Sequence, residues 1–298
     1  MTIKLTVIPV AGRGTRLLPL AKSQPKEMLP VGRKPVVQYV VEELYRCGLD
    51  KMLFITGPGK TAIENHFDLD PELTEHLRRT GKEELLAELE FERESIQYFY
   101  TRQREQLGLG HAVLCAEPVV GREPFVVALG DSVLGLHAQS KVVSRMIAEF
   151  EASGAAAVIA FHQVPREHVR RYGIAAPVSA EPVPEGTFFQ LADIVEKPSV
   201  AEAPSCMAVA ARYVFSADIF DYLRVTKPGK GGEIQLTDAI QAMLADGRKV
   251  LGFRITSADR RYDIGNFASF FDAFLEFSFY DPDYGDAVRA KMRELLGR

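Results

Sequence analysis

Apolar positions along the chain keep two periods. Lys4 to Pro9 is a short apolar run that reads as a buried strand. Val37, Val40, Val41, Leu44 and Tyr45 recur at i, i+3, i+4, i+7 and i+8, the spacing of one helix face, and Gly48 stops the helix. Lys51 to Thr56 is the next strand. A strand at Ile96 to Tyr100, a helix from His111, a strand at Phe125 to Leu129, a helix across Lys141 to Ser153 and a strand at Ala156 to His162 continue the alternation. Strands separated by helices require right-handed crossovers. The expected fold class is therefore α/β: a Rossmann-like, mostly parallel sheet flanked by helices.

Two stretches break the rhythm. Asp68 to Glu94 is rich in Glu, Arg and Leu and reads as one or two charged helices, a solvated insertion. Between Tyr172 and Phe215, Pro177, Pro182, Pro184 and Gly186 punctuate strand-like runs, the pattern of hairpins attached to a main sheet. Three helical faces follow: Leu236, Ala239, Ile240, Met243 and Leu244; then Phe267, Phe270, Phe271, Phe274 and Leu275; then Val288, Met292, Leu295 and Leu296. The Phe-rich face reads as core or subunit packing rather than as a stacking site.

The 298 residues carry 36 Lys and Arg against 40 Asp and Glu, a formal net charge of -4. That balance excludes a chain-wide polybasic design, so nucleic acid is not an expected partner. No apolar run approaches the roughly 18 residues of a membrane span, and the N-terminal run lacks the length and cleavage site of a signal peptide. Cys47, Cys115 and Cys206 stand far apart with no Cys-x-x-Cys pair, and the histidines form no HExxH cluster. Reduced core thiols in a cytoplasmic protein are expected, without a disulfide framework or a histidine-bound metal.

Candidate chemistry begins at the first strand-to-helix turn, AGRGTR, Ala11 to Arg16. Its glycines, Gly12 and Gly14, let the backbone approach a ligand, and free N–H groups there bind phosphate. Leu17 stands where a dinucleotide fingerprint needs its third glycine, and the Gly-Lys-Ser/Thr of a P-loop is absent. A nucleotide-dependent oxidoreductase therefore lacks its entry motif. A structural glycine turn and a nucleotide loop of another kind both stay open. Arg16 and Lys22 lie just behind the turn, and PKEMLP, Pro25 to Pro30, adds Lys26 and Glu27 between two prolines. Cations beside a glycine loop suit a polyphosphate. Asp131 follows the apolar strand FVVALG, where a strand-end carboxylate points into the ligand crevice of an open α/β sheet.

The stretch PVAGRGTRLLPLAKSQPKEMLPVGRKPVVQYVVEE resembles the N-terminal signature of the sugar-nucleotide pyrophosphorylases, and more narrowly that of the bacterial UTP–glucose-1-phosphate uridylyltransferases. IENHFD (Ile63 to Asp68), GLGHAVLCAEPVVG (Gly108 to Gly121), VEKP (Val195 to Pro198) and GEIQLTDAI (Gly232 to Ile240) follow in the family's order, so the resemblance runs from residue 3 to about residue 280. It implies a single nucleotidyltransferase domain over residues 1–298, with a nucleotide-binding half at 1–135 and a sugar-phosphate-binding half of hairpins and C-terminal helices at 136–298. It also implies the reaction: UTP and glucose 1-phosphate give UDP-glucose and pyrophosphate by in-line attack on the α-phosphorus. Such chemistry needs positioning and charge neutralisation rather than a covalent nucleophile.

By the same resemblance, Asp131 and Asp263 hold Mg²⁺, Arg16 clamps the β- and γ-phosphates, and Lys26 approaches the reacting phosphates. Lys197 binds the sugar 1-phosphate, Glu196 accepts from glucose hydroxyls, and Gly173 lets the sugar lie against the backbone. Ala11, Gly12, Gly14, Glu27, Gln103 and Gly108 match nucleotide-binding positions, and Gln103 has both a donor and an acceptor for a uracil edge. Glu196 and Lys197 are neighbours, and neighbours on a strand face opposite ways. Both serve one ligand only if the strand ends there, which Pro198 favours. His66 and His111 are read as structural, and a homo-oligomer without nucleic-acid or membrane partners is expected.

The chain departs from the family pattern at Gly130 and Ser132 around Asp131, at Arg104, Arg33 and Ala21, and at Tyr262 and Ile264 around Asp263. None of these removes a charge that the chemistry needs. The competing readings are a thymidylyltransferase on the same sugar phosphate and a non-catalytic sugar-nucleotide-binding subunit. IENHFD and the charged insertion argue against the first. The second predicts loss of Lys26, Asp131 or Lys197, and all three are present.

Overall fold

The computed structural model describes residues 3–179 and 182–297. Apart from a two-residue ribbon of Pro30–Val31 with Lys34–Pro35, its strands are β1 (Leu5–Pro9), β2 (Lys51–Thr56), β3 (Gln97–Arg102), β4 (Phe125–Ala128), β5 (Ser132–Leu134), β6 (Ala157–Gln163), β7 (Gly173–Pro177), β8 (Phe188–Glu196), β9 (Met207–Phe215), β10 (Val250–Arg254) and β11 (Arg261–Asp263). Nine of them form one sheet in the order β3-β2-β1-β4-β9-β6-β10-β8-β7. The parallel expectation holds for β3, β2, β1 and β4 and for the pair β6 and β10. The sheet is mixed beyond that: β9 runs antiparallel to β4, β6 and β7, and β8 runs antiparallel to β10 and β7. Connection length accounts for one of these pairs: β7 and β8 follow each other with no crossover helix between them, and so short a connection joins antiparallel neighbours.

Both faces of the sheet are covered, so the central strands are apolar on both sides. On β1, Val7 packs into one core and Ile8 into the other; on β2, Leu53 and Ile55 oppose Met52 and Phe54; on β9, Val209, Tyr213 and Phe215 oppose Ala210 and Val214. The helix Val36–Arg46 covers the second face through Val37, Val40, Val41 and Leu44, and the helix Leu236–Ala245 covers the first through Leu236, Ala239, Ile240 and Met243. The charged insertion forms the helix Pro71–Arg79 and a run of 3-10 turns, Glu83–Arg93, largely exposed.

The Phe-rich helix, Phe267–Phe279, buries Phe270, Ala273 and Phe277 against Val31, Tyr39 and Tyr262, and leaves Phe271, Phe274 and Leu275 exposed. The face expected from spacing is thus rotated. The helix Gly285–Leu296 lies largely exposed, with Leu295 and Leu296 open to solvent. A small ribbon outside the main sheet matters most for the site. There β5 pairs antiparallel with β11, setting Ser132 opposite Asp263.

Candidate active site

The site forms at the C-terminal ends of β1 and β4, beside Val209 and Ala211 of the antiparallel β9. After β1 the chain makes the Ala11–Arg16 turn, with Gly14 left-handed at φ 66°. The next cation, Lys26, sits on a single 3-10 turn, Lys26–Met28, entered from Pro25. After β4 the chain reaches Asp131, whose carbonyl accepts from the Ile264 N–H at 3.2 Å. This bond and the β5–β11 ribbon bring two strand-end aspartates, 132 positions apart in the chain (263 − 131), to one wall.

Lys26 Nζ lies 2.5 Å from Asp131 Oδ2, with both side chains largely buried. Burial pushes the Asp131 carboxyl up, but the Lys26 ammonium and its hydrogen bond outweigh this and hold it below the usual range. Burial likewise opposes the Lys26 charge, yet Asp131, Glu27 and Asp263 together hold the ammonium well above its ordinary value. Glu27 is fully enclosed. Burial raises its pKa against the pull of Lys26 and of Lys60, whose Nζ is 2.8 Å from Glu27 Oε2. This chain of charges fixes Lys26 as a permanent cation at the floor of the site.

Two clefts meet there. The first, of about 510 Å³, is lined by Ala11, Gly12, Gly14, Arg16, Lys26, Glu27, Gln103, Gly108 and Asp131. The second, of about 350 Å³, is lined by Arg16, Asp131, Gly173, Glu196, Lys197 and Asp263. Arg16 and Asp131 belong to both. Every residue to which the resemblance gives a site role lies on one cleft or the other, whereas Lys22 lines a neighbouring groove with Arg13 and Arg104.

Strand β8 ends at Glu196, and Lys197 follows with φ 45°, a left-handed conformation that costs a non-glycine residue about 1–3 kcal/mol. The turn is over-determined. The Lys197 N–H donates to the Tyr172 carbonyl at 2.9 Å, and Lys230 Nζ donates to the Lys197 carbonyl. It lets both side chains reach the second cleft, with Lys197 Nζ 2.8 Å from Glu196 Oε1. Thr237 Oγ1 donates to Glu196 Oε2 at 2.8 Å and fixes the carboxylate plane. A Cβ on Gly173 would lie 3.0 Å from Thr237 Oγ1, so glycine keeps this corner open.

The structure corrects one detail at Gln103. Its Nε2 donates to the Gly108 carbonyl at 3.0 Å and lies 3.0 Å from His111 Nδ1. The donors are therefore engaged, and among the described residues Oε1 is left without a partner. Gly108 has φ 104°, and a Cβ there would come within 2.7 Å of Glu233 Cβ and the Ile234 carbonyl. His111 gains a positioning role through Gln103.

Sequence reasoning missed several contributors. Gln106 Nε2 donates to the Ala11 carbonyl at 2.7 Å, and Arg13 Nε donates to Gln106 Oε1 at 2.7 Å. Arg261 NH2 reaches Ser132 Oγ at 3.0 Å and Asp263 Oδ1 at 3.4 Å. Arg212, fully buried on β9, forks onto Glu43 at 3.2 and 2.6 Å and donates to the Ser132 carbonyl at 2.9 Å, bracing the residue after Asp131. An arginine inside an otherwise apolar strand, MAVAARYVF, was the available signal.

Residues 5–278 match the model of the nucleotidyl transferase family. The chain is 40% identical over 296 residues to the UTP–glucose-1-phosphate uridylyltransferase of Bacillus subtilis, covering 99% of this chain and 98% of that one. Its fold superposes on UTP-bound UGPase from Acinetobacter baumannii with a TM-score of 0.88 at 39% identity, covering 98% of this chain and 99% of that chain. It also superposes on a UDP-glucose pyrophosphorylase complexed with UDP-glucose, with a TM-score of 0.80 at 34% identity, covering 92% and 98%.

Proposed function

The chain belongs to the nucleotidyl transferase family, among the UTP–glucose-1-phosphate uridylyltransferases, and from that premise we propose that it transfers the uridylyl group of UTP to glucose 1-phosphate, giving UDP-glucose and pyrophosphate. The observation that carries this reading is the junction of two clefts at Arg16 and Asp131. UTP occupies the first cleft, its triphosphate along the glycine turn. Gln103 Oε1 accepts from the uracil N3–H, a donor that cytosine lacks. Glucose 1-phosphate occupies the second cleft, its hydroxyls on Glu196 and its phosphate on Lys197.

A phosphate oxygen of glucose 1-phosphate attacks the α-phosphorus, and the bond to the β-phosphate oxygen breaks opposite it. The electron pair leaves with pyrophosphate. The attacking oxygen is already anionic, so no general base is needed. Lys26, held protonated by its buried acids, lies where the two clefts meet and stabilises charge on the reacting phosphates. Arg16 neutralises the leaving pyrophosphate. Catalysis is then positioning plus preorganised charge.

A divalent cation fits the same junction. Asp131 and Asp263 offer two hard carboxylates on one cleft, and among the described residues no cluster of three or more His, Cys, Asp or Glu is built to enclose a metal. That donor set suits Mg²⁺, which takes one or two carboxylates and completes its shell with phosphate oxygens and waters. When bound, it supplies charge neutralisation between the phosphates. No helix among the described residues is long and apolar enough to cross a membrane. The free thiols suit a reducing cytoplasm. The exposed Phe271, Leu275, Leu295 and Leu296 suit burial against a second copy of the chain.

Pyrophosphate release with Mg²⁺, a panel of nucleoside triphosphates and a panel of sugar 1-phosphates tests the reading. UTP with glucose 1-phosphate should exceed CTP, ATP and GTP by at least about 100-fold in kcat/KM, whereas dTTP, differing at the base by one methyl, should lose about 1–3 kcal/mol. Equal turnover with purine nucleotides overturns the base pocket. UDP-glucose binding without any pyrophosphate release would favour a non-catalytic binding subunit.

A further inference from the structure

The nucleotide cleft has two lips. One is the glycine turn after β1, Ala11 to Arg16, and the other is the loop after β3, from Gln103 to Gly108. Strand β2 stands between β1 and β3, so this loop has to arch past the end of β2 to reach the turn. Its feet are pinned. The Gln103 N–H donates to the Thr56 carbonyl at 2.9 Å, and the Leu107 carbonyl accepts from the Ile234 N–H at 2.7 Å. Its crown, Arg104 to Gln106, is exposed, and among the described residues no backbone hydrogen bond joins it to the glycine turn.

One side chain closes that gap. Gln106 Nε2 donates to the Ala11 carbonyl and Gln106 Oε1 accepts from Arg13 Nε, both at 2.7 Å. Among the described residues these are the only hydrogen bonds between the two lips. A glutamine amide makes both at once because it carries a donor and an acceptor on one planar group. Arg13, which only donates, fixes the way the amide faces. Ala11, Arg13 and Gln106 also line the neighbouring groove, so this strap forms a partition between that groove and the nucleotide cleft. Among the described residues the Ala11 and Gly12 N–H groups have no acceptor, and Gln103 Oε1 on the opposite lip has no donor.

We propose that Gln106 is a positioning residue that sets the width of the uracil slot and, through it, the preference for a pyrimidine nucleotide. The inference rests on the placement of uracil at Gln103 and deepens it. The base lies between Gln103 on one lip and Ala11 and Gly12 on the other. Uracil offers what both lips need: an N–H for Gln103 Oε1 and carbonyl oxygens for the N–H groups of the turn. Both lips meet a single six-membered ring only while they are held together. A purine carries a second, fused ring and has to force the lips apart, which the strap resists.

The test measures UTP and ATP dissociation constants by calorimetry, with Mg²⁺ and without sugar phosphate, on the full-length wild type, Gln106→Ala and Gln106→Glu. The first variant removes both bonds. The second keeps an acceptor for Arg13 but sets a carboxylate against the Ala11 carbonyl. Each should raise the Kd for UTP about tenfold or more, the factor expected when two exposed hydrogen bonds that hold its slot are lost. The Kd for ATP should change less than about twofold, because ATP never gains the closed slot. At saturating UTP the KM for glucose 1-phosphate should stay within about twofold, and the melting temperature should stay close to that of the wild type, since Gln106 lies on the surface. A general loss of folding would move all of these together. Unchanged UTP affinity in either variant, or equal losses for UTP and ATP, overturns the proposal. Wild-type protein that binds ATP as tightly as UTP overturns the placement of uracil at Gln103 itself, and this inference with it.

Discussion

Replacing Arg212 with Met should separate the bracing of the site from its chemistry. Arg212 and Glu43 are both wholly enclosed and lie 169 positions apart, and the guanidinium also holds the Ser132 carbonyl. Arg212→Met leaves a buried carboxylate unpaired and a backbone carbonyl without its donor. Removing one partner of such a pair costs about 3–5 kcal/mol, a large share of a typical total of about 5–15. The loss should depend on pH. Burial already pushes Glu43 up, and Arg212 opposes it. Without Arg212 the folded state keeps the proton that the unfolded chain releases above its ordinary carboxyl pKa, so stability falls as pH rises from that value towards neutrality. The double variant Glu43→Leu/Arg212→Met removes both charges and should regain most of the stability, since apolar replacements of buried pairs are often neutral. It should not regain kcat, because the Ser132 carbonyl still lacks its donor and Asp131 sits next to it. A displacement of about 1 Å there can cost on the order of 100-fold. Urea unfolding at pH 5 and pH 8, with steady-state kinetics on all three proteins, measures both effects. A loss below about 1 kcal/mol for Arg212→Met, or a double variant with full kcat, would refute the bracing role.

Asp131→Asn, which keeps shape and removes charge, should lower kcat by roughly 100-fold or more, as expected for losing one preorganised contact, and should lower the melting temperature as well, because it leaves the largely buried Lys26 without its ion-pair partner; near-normal turnover at low Mg²⁺ contradicts it. Lys197→Ala should raise the KM for glucose 1-phosphate more than that for UTP, and Arg16→Ala should do the reverse; equal effects on both constants show the site map to be wrong. His162, held neutral with its pKa lowered from about 6.5 to about 3, should contribute stability above pH 6.5 that is lost as pH falls towards 3, since only the unfolded chain binds the proton in that window. His162→Phe should flatten that part of the stability profile, and an unchanged profile would show that the imidazole is not held neutral.

The alternation of apolar runs located the elements because each is local: β2 begins and ends where its apolar run does, at Lys51 and Thr56. Strand direction in the second half was less legible, because pairing partners are set by connection length and packing between distant segments. The Phe-rich helix shows the same limit. Its composition is apolar on several sides, and tertiary contact with Tyr39 and Tyr262 chose 270, 273 and 277 rather than the face of widest spacing. At the site, charged residues within motifs could be read because the motifs are contiguous. The braces, Arg212 to Glu43 and Arg261 to Ser132, join segments more than a hundred residues apart and leave no spacing signal. The turn at Lys197 fell between these cases. Pro198 announced the end of the strand, and the left-handed backbone that lets two neighbours share a cleft is visible only in three dimensions.

The central claim is that a phosphate oxygen of glucose 1-phosphate forms the new bond to the α-phosphorus of UTP. Glucose 1-phosphate carrying ¹⁸O at all four phosphate oxygens, turned over once with unlabelled UTP and read by mass spectrometry, tests it directly. All four labels should appear in UDP-glucose and none in pyrophosphate. Label in pyrophosphate, or UDP-glucose that has lost the oxygen between C1 and phosphorus, would contradict the account.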